Sequence, residues 1–338
     1  MPRRTTRIYR PTSHNLTRLA RALQRGELVA TPSETVYGLA ADAFNAKACR
    51  AIYTAKRRPA TDPLIVHFAD RRTLSELGET NELVERLARG FWPGPLTLII
   101  RKSPRVPAIV TAGLDSVAVR MPAHPLFRQL IRAAGRPLAA PSANPFSYIS
   151  PTTAEHVRDG LNGRISYILD GGACAVGVES TIVDARDPKH PVILRPGGIP
   201  AADISAALGR DIPQRDKKLG STTAATAPGQ LIRHYSPRTP VTLHAELTQR
   251  IVDAIPADEA IVAFGPTSAR LATAQKNRRS FVLSPDGTGA SAARGLFHLL
   301  RRLDQRKFPR IHVERAPAGD PWSAAINDRL ERAAARTT

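Results

Sequence analysis

Lys56-Arg57-Arg58-Pro59 and, a few residues on, Asp62-Pro63-Leu64-Ile65-Val66-His67 put three cations, a carboxylate and an imidazole around one helix-to-strand junction. Ala48, Cys49, Ile52 and Tyr53 recur at helical spacing before it, and Pro59 forbids continuation. Lys56 and Arg58 are therefore expected at a helix exit, stems fixed and cationic heads free. Such a pair suits an anion, because Arg offers a planar fork to phosphate and Lys a point charge. The competing explanation is that cations simply favour the negative end of a helix dipole.

Other polar residues collect at strand ends, in the turns where α/β proteins bind ligands. Thr31-Pro-Ser-Glu-Thr35-Val-Tyr37-Gly38 follows a first strand, and Pro141-Ser142-Ala143-Asn144-Pro145 follows Leu138-Ala139-Ala140. Gly177-Val-Glu-Ser180-Thr181 precedes a strand, Arg195-Pro-Gly-Gly follows one, and Arg120 ends Val117-Ala-Val-Arg. Together these set hydroxyls, an amide, a histidine and the cations Lys56, Arg58, Arg120 and Arg195 at exits from one sheet. No GxxxxGK[ST], GxGxxG or HExxH motif occurs. Gly287-x-Gly289 reads as an ordinary strand-to-helix turn.

The elements that must position these groups alternate along the chain. Leu16, Leu19, Ala20 and Leu23 make a helical stripe ended near Gly26, and 28–31 reads as a strand. Further strands are expected at 64–68, 96–100, 117–120, 137–140, 167–169, 181–184 and 192–194. Helices are expected at 71–90, 125–134 and 153–161, the last opened by a Thr152-x-x-Glu155 capping box. Residues 205–238 are polar, small and aperiodic, and read as a linker. Strands at 241–243, 260–264, 281–283 and 312–313, alternating with helices, then predict a small parallel sheet. The division expected is 1–205 for a catalytic domain, 206–237 for a linker or lid, and 238–338 for a C-terminal α/β domain.

At 338 residues the chain can hold two cores, and its net charge of +20 favours polyanionic partners such as nucleotides or RNA. No apolar run approaches the roughly 20 residues that span a bilayer. The first 14 residues carry four arginines and no apolar signal core, so a cytoplasmic protein is expected. Cys49 and Cys174 lack metal-ligand spacing, so neither a disulfide framework nor a zinc site is expected.

Read in order, PSETVYGLA (32–40), KRRPATDPLIVH (56–67), FWPGPLTLI (91–99), VAVRMPAHP (117–125), PLAAPSANP (137–145), SPTTAEHV (150–157), GVESTIVD (177–184) and RPGGI (195–199) resemble the threonylcarbamoyl-AMP synthase family, the YrdC-type enzymes. His234-Tyr235-Ser236-Pro237 and the segment after it look like the family's long form. The resemblance implies a twisted mixed-sheet α/β YrdC-like domain and a smaller, parallel-sheet, Rossmann-like C-terminal domain. It implies that L-threonine, bicarbonate and ATP, the last with Mg2+, give threonylcarbamoyl-AMP and pyrophosphate. A downstream transferase then modifies tRNA, and tRNA itself is a candidate partner. By the same resemblance Lys56 and Arg58 are catalytic, and Thr35, His67, Arg120, Ala140 and Ser180 hold threonine. Arg58, Asp62, Ser116, Ser142, Asn144, Ser150, Arg195 and Tyr235 hold ATP, Tyr235 as a lid. The family commonly has a neutral polar residue at Asp62 and Gly at Ser147. An acid at 62 repels triphosphate unless Mg2+ intervenes.

Two rivals differ in class. A non-catalytic RNA-binding module would need an interleaved basic-aromatic stripe, and aromatics are only 5%. A hydrogenase-maturation carbamoyltransferase would add cysteine-rich zinc motifs. His67 alone could be a core histidine, Tyr37 and Tyr53 packing residues, Trp92 a core anchor, and Arg301, Arg302 and Arg306 a solvated helix face.

Overall fold

The computed structural model describes residues 5–215, 235–273 and 279–335. Ten strands form the first sheet: β1 (Arg7–Tyr9), β2 (Val29–Thr31), β3 (Gly38–Asp42), β4 (Ile65–His67), β5 (Leu96–Arg101), β6 (Ser116–Arg120), β7 (Leu138–Ala139), β8 (Tyr167–Leu169), β9 (Thr181–Asp184) and β10 (Val192–Arg195). Their spatial order is β1-β8-β2-β3-β7-β4-β6-β5-β9-β10. Pairing is mixed: β4 runs parallel to β6 and β5 to β9, whereas β2–β3, β3–β7 and β5–β6 are antiparallel.

A period of two assigns side chains to faces. Leu39 and Ala41, Val66, Val117 and Val119, and Leu96 and Leu98 enter the main core with the helices Ala46–Lys56, Glu82–Phe91 and Ala154–Leu161. Ala40 and Leu138 face the other way, against the helices Ser13–Gln24 and Pro125–Ala134. Those two helices cover only part of that face. Beside them Ile65, Ile99, Ala118, Ile182 and Leu194 form a smaller apolar patch. His67, Arg120 and Thr97 lie two residues from Ile65, Ala118 and Ile99, and so share that patch's face. The partly covered face is where polar chemistry can collect.

A second sheet is all parallel: β11 (Val241–His244), β12 (Ala260–Ala263), β13 (Ser280–Val282) and β14 (Ile311–Glu314), in the order β11-β14-β12-β13. The two lobes share a core. Val36, Ile149 and Val178 of the first pack with Leu296, Phe297 and Leu330 of the second and with Tyr235 just before it. Cys49 and Cys174 are both free.

Several expectations are corrected. The stretch 71–90 is a 3-10 turn (Arg71–Thr73), a short helix (Leu74–Leu77) and the helix Glu82–Phe91, because Gly78 lies against Arg101 and Asn81 caps a new start. Thr153, rather than Thr152, caps Ala154–Leu161; Thr152 instead contacts His156 Nδ1 at 3.3 Å. A helix at Ala201–Leu208 enters the stretch read as irregular, burying Ile204 and Leu208 in the main core. Strands β1 and β3 were not anticipated; β3, GLAAD, is buried on both faces and so shows no alternation. Gly287-x-Gly289 is a turn into the helix Gly289–Gln305, whose first N–H binds Asp320 at 2.9 Å.

Candidate active site

The helix Ala46–Lys56 starts under Asn45, whose side chain accepts from the Lys47 and Ala48 N–H groups, and ends where Arg57 turns left-handed (φ 54). The chain folds back there, so Lys56 and Arg58 point to different partners. Lys56 Nζ reaches the carbonyl of Ser142 and, at 2.6 Å, that of Asn144. Arg58 donates to Pro63 O at 2.8 Å and pairs with Asp62 at 3.0 Å. The expectation of free cationic heads is therefore corrected: both are buried, and Lys56 binds the Ser142–Asn144 loop. Buried backbone carbonyls need donors, and here the two cations supply them. Burial lowers the Lys56 pKa, with Arg58's charge adding to it. Burial raises that of Asp62, against the pull of Arg58 and Lys56.

Arg120 ends β6 level with His67 in β4. Its guanidinium donates to Thr35 Oγ1 at 3.0 Å and to Gly94 O at 3.2 Å, and pairs with Glu34 at 2.6 Å. Thr35 sits in the 32–37 loop of the β2–β3 hairpin, Oγ1 2.9 Å from Ser33 Oγ. Burial opposes ionisation of Glu34, but Arg120 and the Ala123 N–H overcome it and leave its pKa lowered. Burial, reinforced by Arg120, pushes His67 down to about 3, so the imidazole is neutral at pH 7. Among the described residues its Nδ1 meets no hydrogen-bond partner, and its ring lies 5.0 Å from Phe127.

Arg195 ends β10 past a register shift and donates to Ser180 O at 2.9 Å and Ser180 Oγ at 3.1 Å. Ser180 Oγ also lies 2.7 Å from Thr97 Oγ1. Any Cβ on Gly197 would strike the Glu179–Thr181 backbone, so this turn after Arg195 requires glycine.

These groups surround one narrow cleft with a cavity volume of about 50 Å³, inside a wider recess of about 550 Å³ that includes open solvent. Thr35, Arg58, His67, Arg120, Ala140, Ser142, Ser180, Arg195 and Tyr235 all line it. Lys56, Asp62 and Asn144 stand behind that wall, and Ser150 reaches it through Glu179, to which its Oγ donates at 2.6 Å. Ser116 is not part of the wall. It lies about 13 Å before Arg120 along β6, paired with Arg101 of β5 and two residues before Ala118, which is level with Ile65. Glu34 and Glu179 were missed as participants. Both lie inside motifs already singled out, but a single sequence gives no sign that their partners would be Arg120 and the distant Arg329.

Tyr235, the one described residue of His234-Tyr235, is buried against Phe297 (5.4 Å) and Arg329 (5.5 Å); His234 and 216–233 lie outside the described residues. Arg301 is no solvated face residue. It is buried and donates to Ile149, Ser150 and His156 carbonyls, against the Tyr148 ring. Tyr37 and Tyr53 do pack, their hydroxyls donating to Gly172 O and Ile109 O, and Trp92 anchors on Leu96 O. Among the described residues no cluster of three His, Cys, Asp or Glu could hold a metal ion, and no helix is long and apolar enough to cross a membrane.

Residues 21–197 match the Sua5/YciO/YrdC family model, described as "Telomere recombination", and 199–335 match the threonylcarbamoyl-AMP synthase C-terminal domain model. The threonylcarbamoyl-AMP synthase of Bacillus subtilis is 40% identical over 94% of this chain and 92% of its own. That of Pyrococcus abyssi is 48% identical over 64% of this chain, an alignment covering 63% of the relative. A crystal structure of P. abyssi Sua5 complexed with L-threonine superposes with a TM-score of 0.88 at 37% identity, over 97% of this chain and 98% of that one. Eight ordered motifs, the mixed sheet and the guanidinium-lined cleft thus meet in one assignment: the chain belongs to the Sua5/YciO/YrdC family, in the long form that carries the threonylcarbamoyl-AMP synthase C-terminal domain.

Proposed function

We propose that this protein makes threonylcarbamoyl-AMP and pyrophosphate from L-threonine, bicarbonate and ATP, for later transfer to tRNA by a separate enzyme. The observation that carries the reading is the burial of Arg58, Arg120 and Arg195 around one cleft, together with Thr35, Ser142 and Ser180 on the same wall. Buried guanidiniums bind a compact anion far more strongly than exposed ones, because little water screens them. An RNA-docking surface would instead keep its cations exposed along the phosphate track.

At the Arg120 end, the guanidinium and Thr35 Oγ1 suit the carboxylate and hydroxyl of threonine. Neutral His67 offers Nδ1, Ala140 forms the wall, and Ser180 Oγ completes the pocket. The amine, N-carboxylated by bicarbonate with loss of water, becomes the nucleophile: a carbamate oxygen attacks the α-phosphorus, and pyrophosphate departs with the bond electrons. No covalent enzyme nucleophile is needed. Positioning and charge neutralisation carry the catalysis. Arg58 and Arg195, with Ser142, suit the phosphates. Lys56 fixes the Ser142–Asn144 loop, Ser150 acts beside Glu179, and Tyr235 closes the nucleotide side; Asp62 belongs to the Arg58 end, and Ser116 to the start of β6. Mg2+ enters with ATP as part of the substrate. Arg58 pairs with Asp62 at 3.0 Å, so the two are close to neutral together and Arg58 meets phosphate through its donors rather than as a full net charge.

We place the catalytic domain at about 1–205, the linker at 206–237 and the C-terminal domain at 238–338, in the cytoplasm. The test is incubation with ATP, Mg2+, bicarbonate and L-threonine, each omitted in turn, while pyrophosphate and the adenylate are followed. Pyrophosphate release that does not depend on threonine would overturn the reading.

A further inference from the structure

Arg329 is the largest fully buried side chain among the described residues, and it comes from the second lobe, on the helix Ser323–Ala334. Burying a guanidinium is costly unless its charge and donors are met. Here the charge and the Nε and Nη1 donors are met largely by the cleft wall of the other lobe, while Nη2 meets no partner among the described residues. Nε pairs with Glu179 Oε2 at 3.1 Å, Nη1 donates to Pro196 O at 2.5 Å, and the guanidinium lies 5.5 Å from the centre of the Tyr235 ring. Pro196 immediately follows Arg195. The other oxygen of Glu179 accepts from Ser150 Oγ at 2.6 Å. On its own helix Arg329 meets Asp328 at 3.1 Å, and Asp328 is shared with Arg332 at 2.9 Å.

Asp328 lies between two arginines, so Arg329 is left to balance Glu179. Glu179 lines the cleft that Arg58 and Arg195 also line. With its carboxylate unpaired, Glu179 would set a buried negative charge beside any arriving phosphate. In a poorly hydrated site that repulsion is screened weakly.

We propose that Arg329 is a positioning residue for the nucleotide end of the cleft: the C-terminal lobe neutralises Glu179 from behind and holds it on Ser150, while steadying the Arg195–Pro196 turn and Tyr235. The inference rests on the adenylating reading above. It assigns the C-terminal lobe a direct part in nucleotide affinity through one side chain.

The test is calorimetric titration of the full chain with Mg-ATP and, separately, with L-threonine, alongside steady-state pyrophosphate release. Arg329→Met is expected to weaken ATP binding about 10- to 100-fold and leave threonine binding within about two-fold, as for removal of a buried charge partner. Adding Glu179→Gln to Arg329→Met should recover most of the loss, because the stranded carboxylate is gone. Arg329→Lys, which keeps the charge but not the fork, should fall between wild type and Arg329→Met.

Unchanged ATP affinity in Arg329→Met overturns the inference. So does a double variant weaker than the single one, or equal loss for both ligands, either of which marks a purely structural residue. If Arg329→Met does not fold, Arg329→Lys decides: a selective loss of ATP affinity supports the inference, and no loss ends it. A wild-type protein that binds both ligands but releases no pyrophosphate would sink the adenylation alone, with the Arg329 comparison still read from ATP affinity. A wild-type protein that binds no ATP would sink both.

Discussion

At the scale of single residues, the functional groups are held by donors that sequence logic expects to face the ligand. Lys56 is the clearest case. Its ammonium is tied to the Ser142 and Asn144 carbonyls, so it shapes the loop that presents Ser142 to the cleft. Lys56→Ala is expected to cost on the order of 2–4 kcal/mol of transition-state stabilisation, read from kcat/KM. Lys56→Arg should not restore it, because a planar fork cannot replace a compact ammonium between two carbonyls. His67 supplies a second prediction. Its folded pKa, about 3, lies below the ordinary histidine value near 6.5, and burial does the same to His156. Between those pH values the unfolded chain binds more protons than the folded one, so stability falls as pH falls from about 6.5 towards 3. Each such histidine contributes up to about 1.4 kcal/mol per pH unit in that window. Urea denaturation at pH 7 and pH 5 should show a smaller acid loss for His67→Gln than for wild type. An identical loss would mean that His67 is protonated in the folded state.

At the scale of elements, the loops matter more than the strands that carry them. The 141–150 loop is the informative one. Ser147 adopts a positive φ of 63, a conformation glycine takes at little cost, and its carbonyl accepts the Ser236 N–H at 2.8 Å. The family's frequent glycine at this position was legible from the motif, whereas the strain behind it was not. Ser147→Gly should relieve up to about 1 kcal/mol of left-handed strain, partly offset by the greater freedom of glycine in the unfolded chain. Thermal melts should therefore show Ser147→Gly as stable as wild type or slightly more so, while Ser147→Val, β-branched, melts clearly lower. The helix ends were read unevenly for a related reason. Pro125 and Gly135 mark both ends of Pro125–Ala134 in the sequence, but the break at Gly78 depends on the neighbouring Arg101 strand.

At the scale of the whole molecule, the second lobe is part of the first lobe's architecture. Arg301 donates to three carbonyls of the 149–156 segment, and Val36, Ile149 and Val178 share one buried cluster with Leu296, Phe297 and Leu330 of the C-terminal helices. Even the backbone is fitted: a Cβ at Gly177 would strike the Ala293–Arg294 backbone. Arg301→Ala should leave those carbonyls unmet and cost on the order of 3 kcal/mol. Urea unfolding should then split into two transitions as the lobes uncouple. A chain ending at residue 215 should bind a hydrophobic dye and lose turnover, because it bares that apolar face and lacks Tyr235 and Arg329. Turnover equal to the full chain would show that the second lobe is dispensable.

The sequence by itself determined the strands near 65, 97, 118 and 182, the parallel second sheet, and the motif-bearing turns, because local periodicity and Pro or Gly punctuation are short-range signals. Spacing also placed Lys56, Arg58, Arg120 and Arg195 at strand or helix ends. Only the tertiary structure decided which of them face the cleft, since that depends on pairings such as His67 level with Arg120 and on carbonyls 86 and 88 residues away that claim Lys56. The roles of Glu34, Glu179 and Arg329 arise the same way. A buried charge is defined by the opposite charge packed against it, and a packing partner 150 residues off leaves no trace in local sequence.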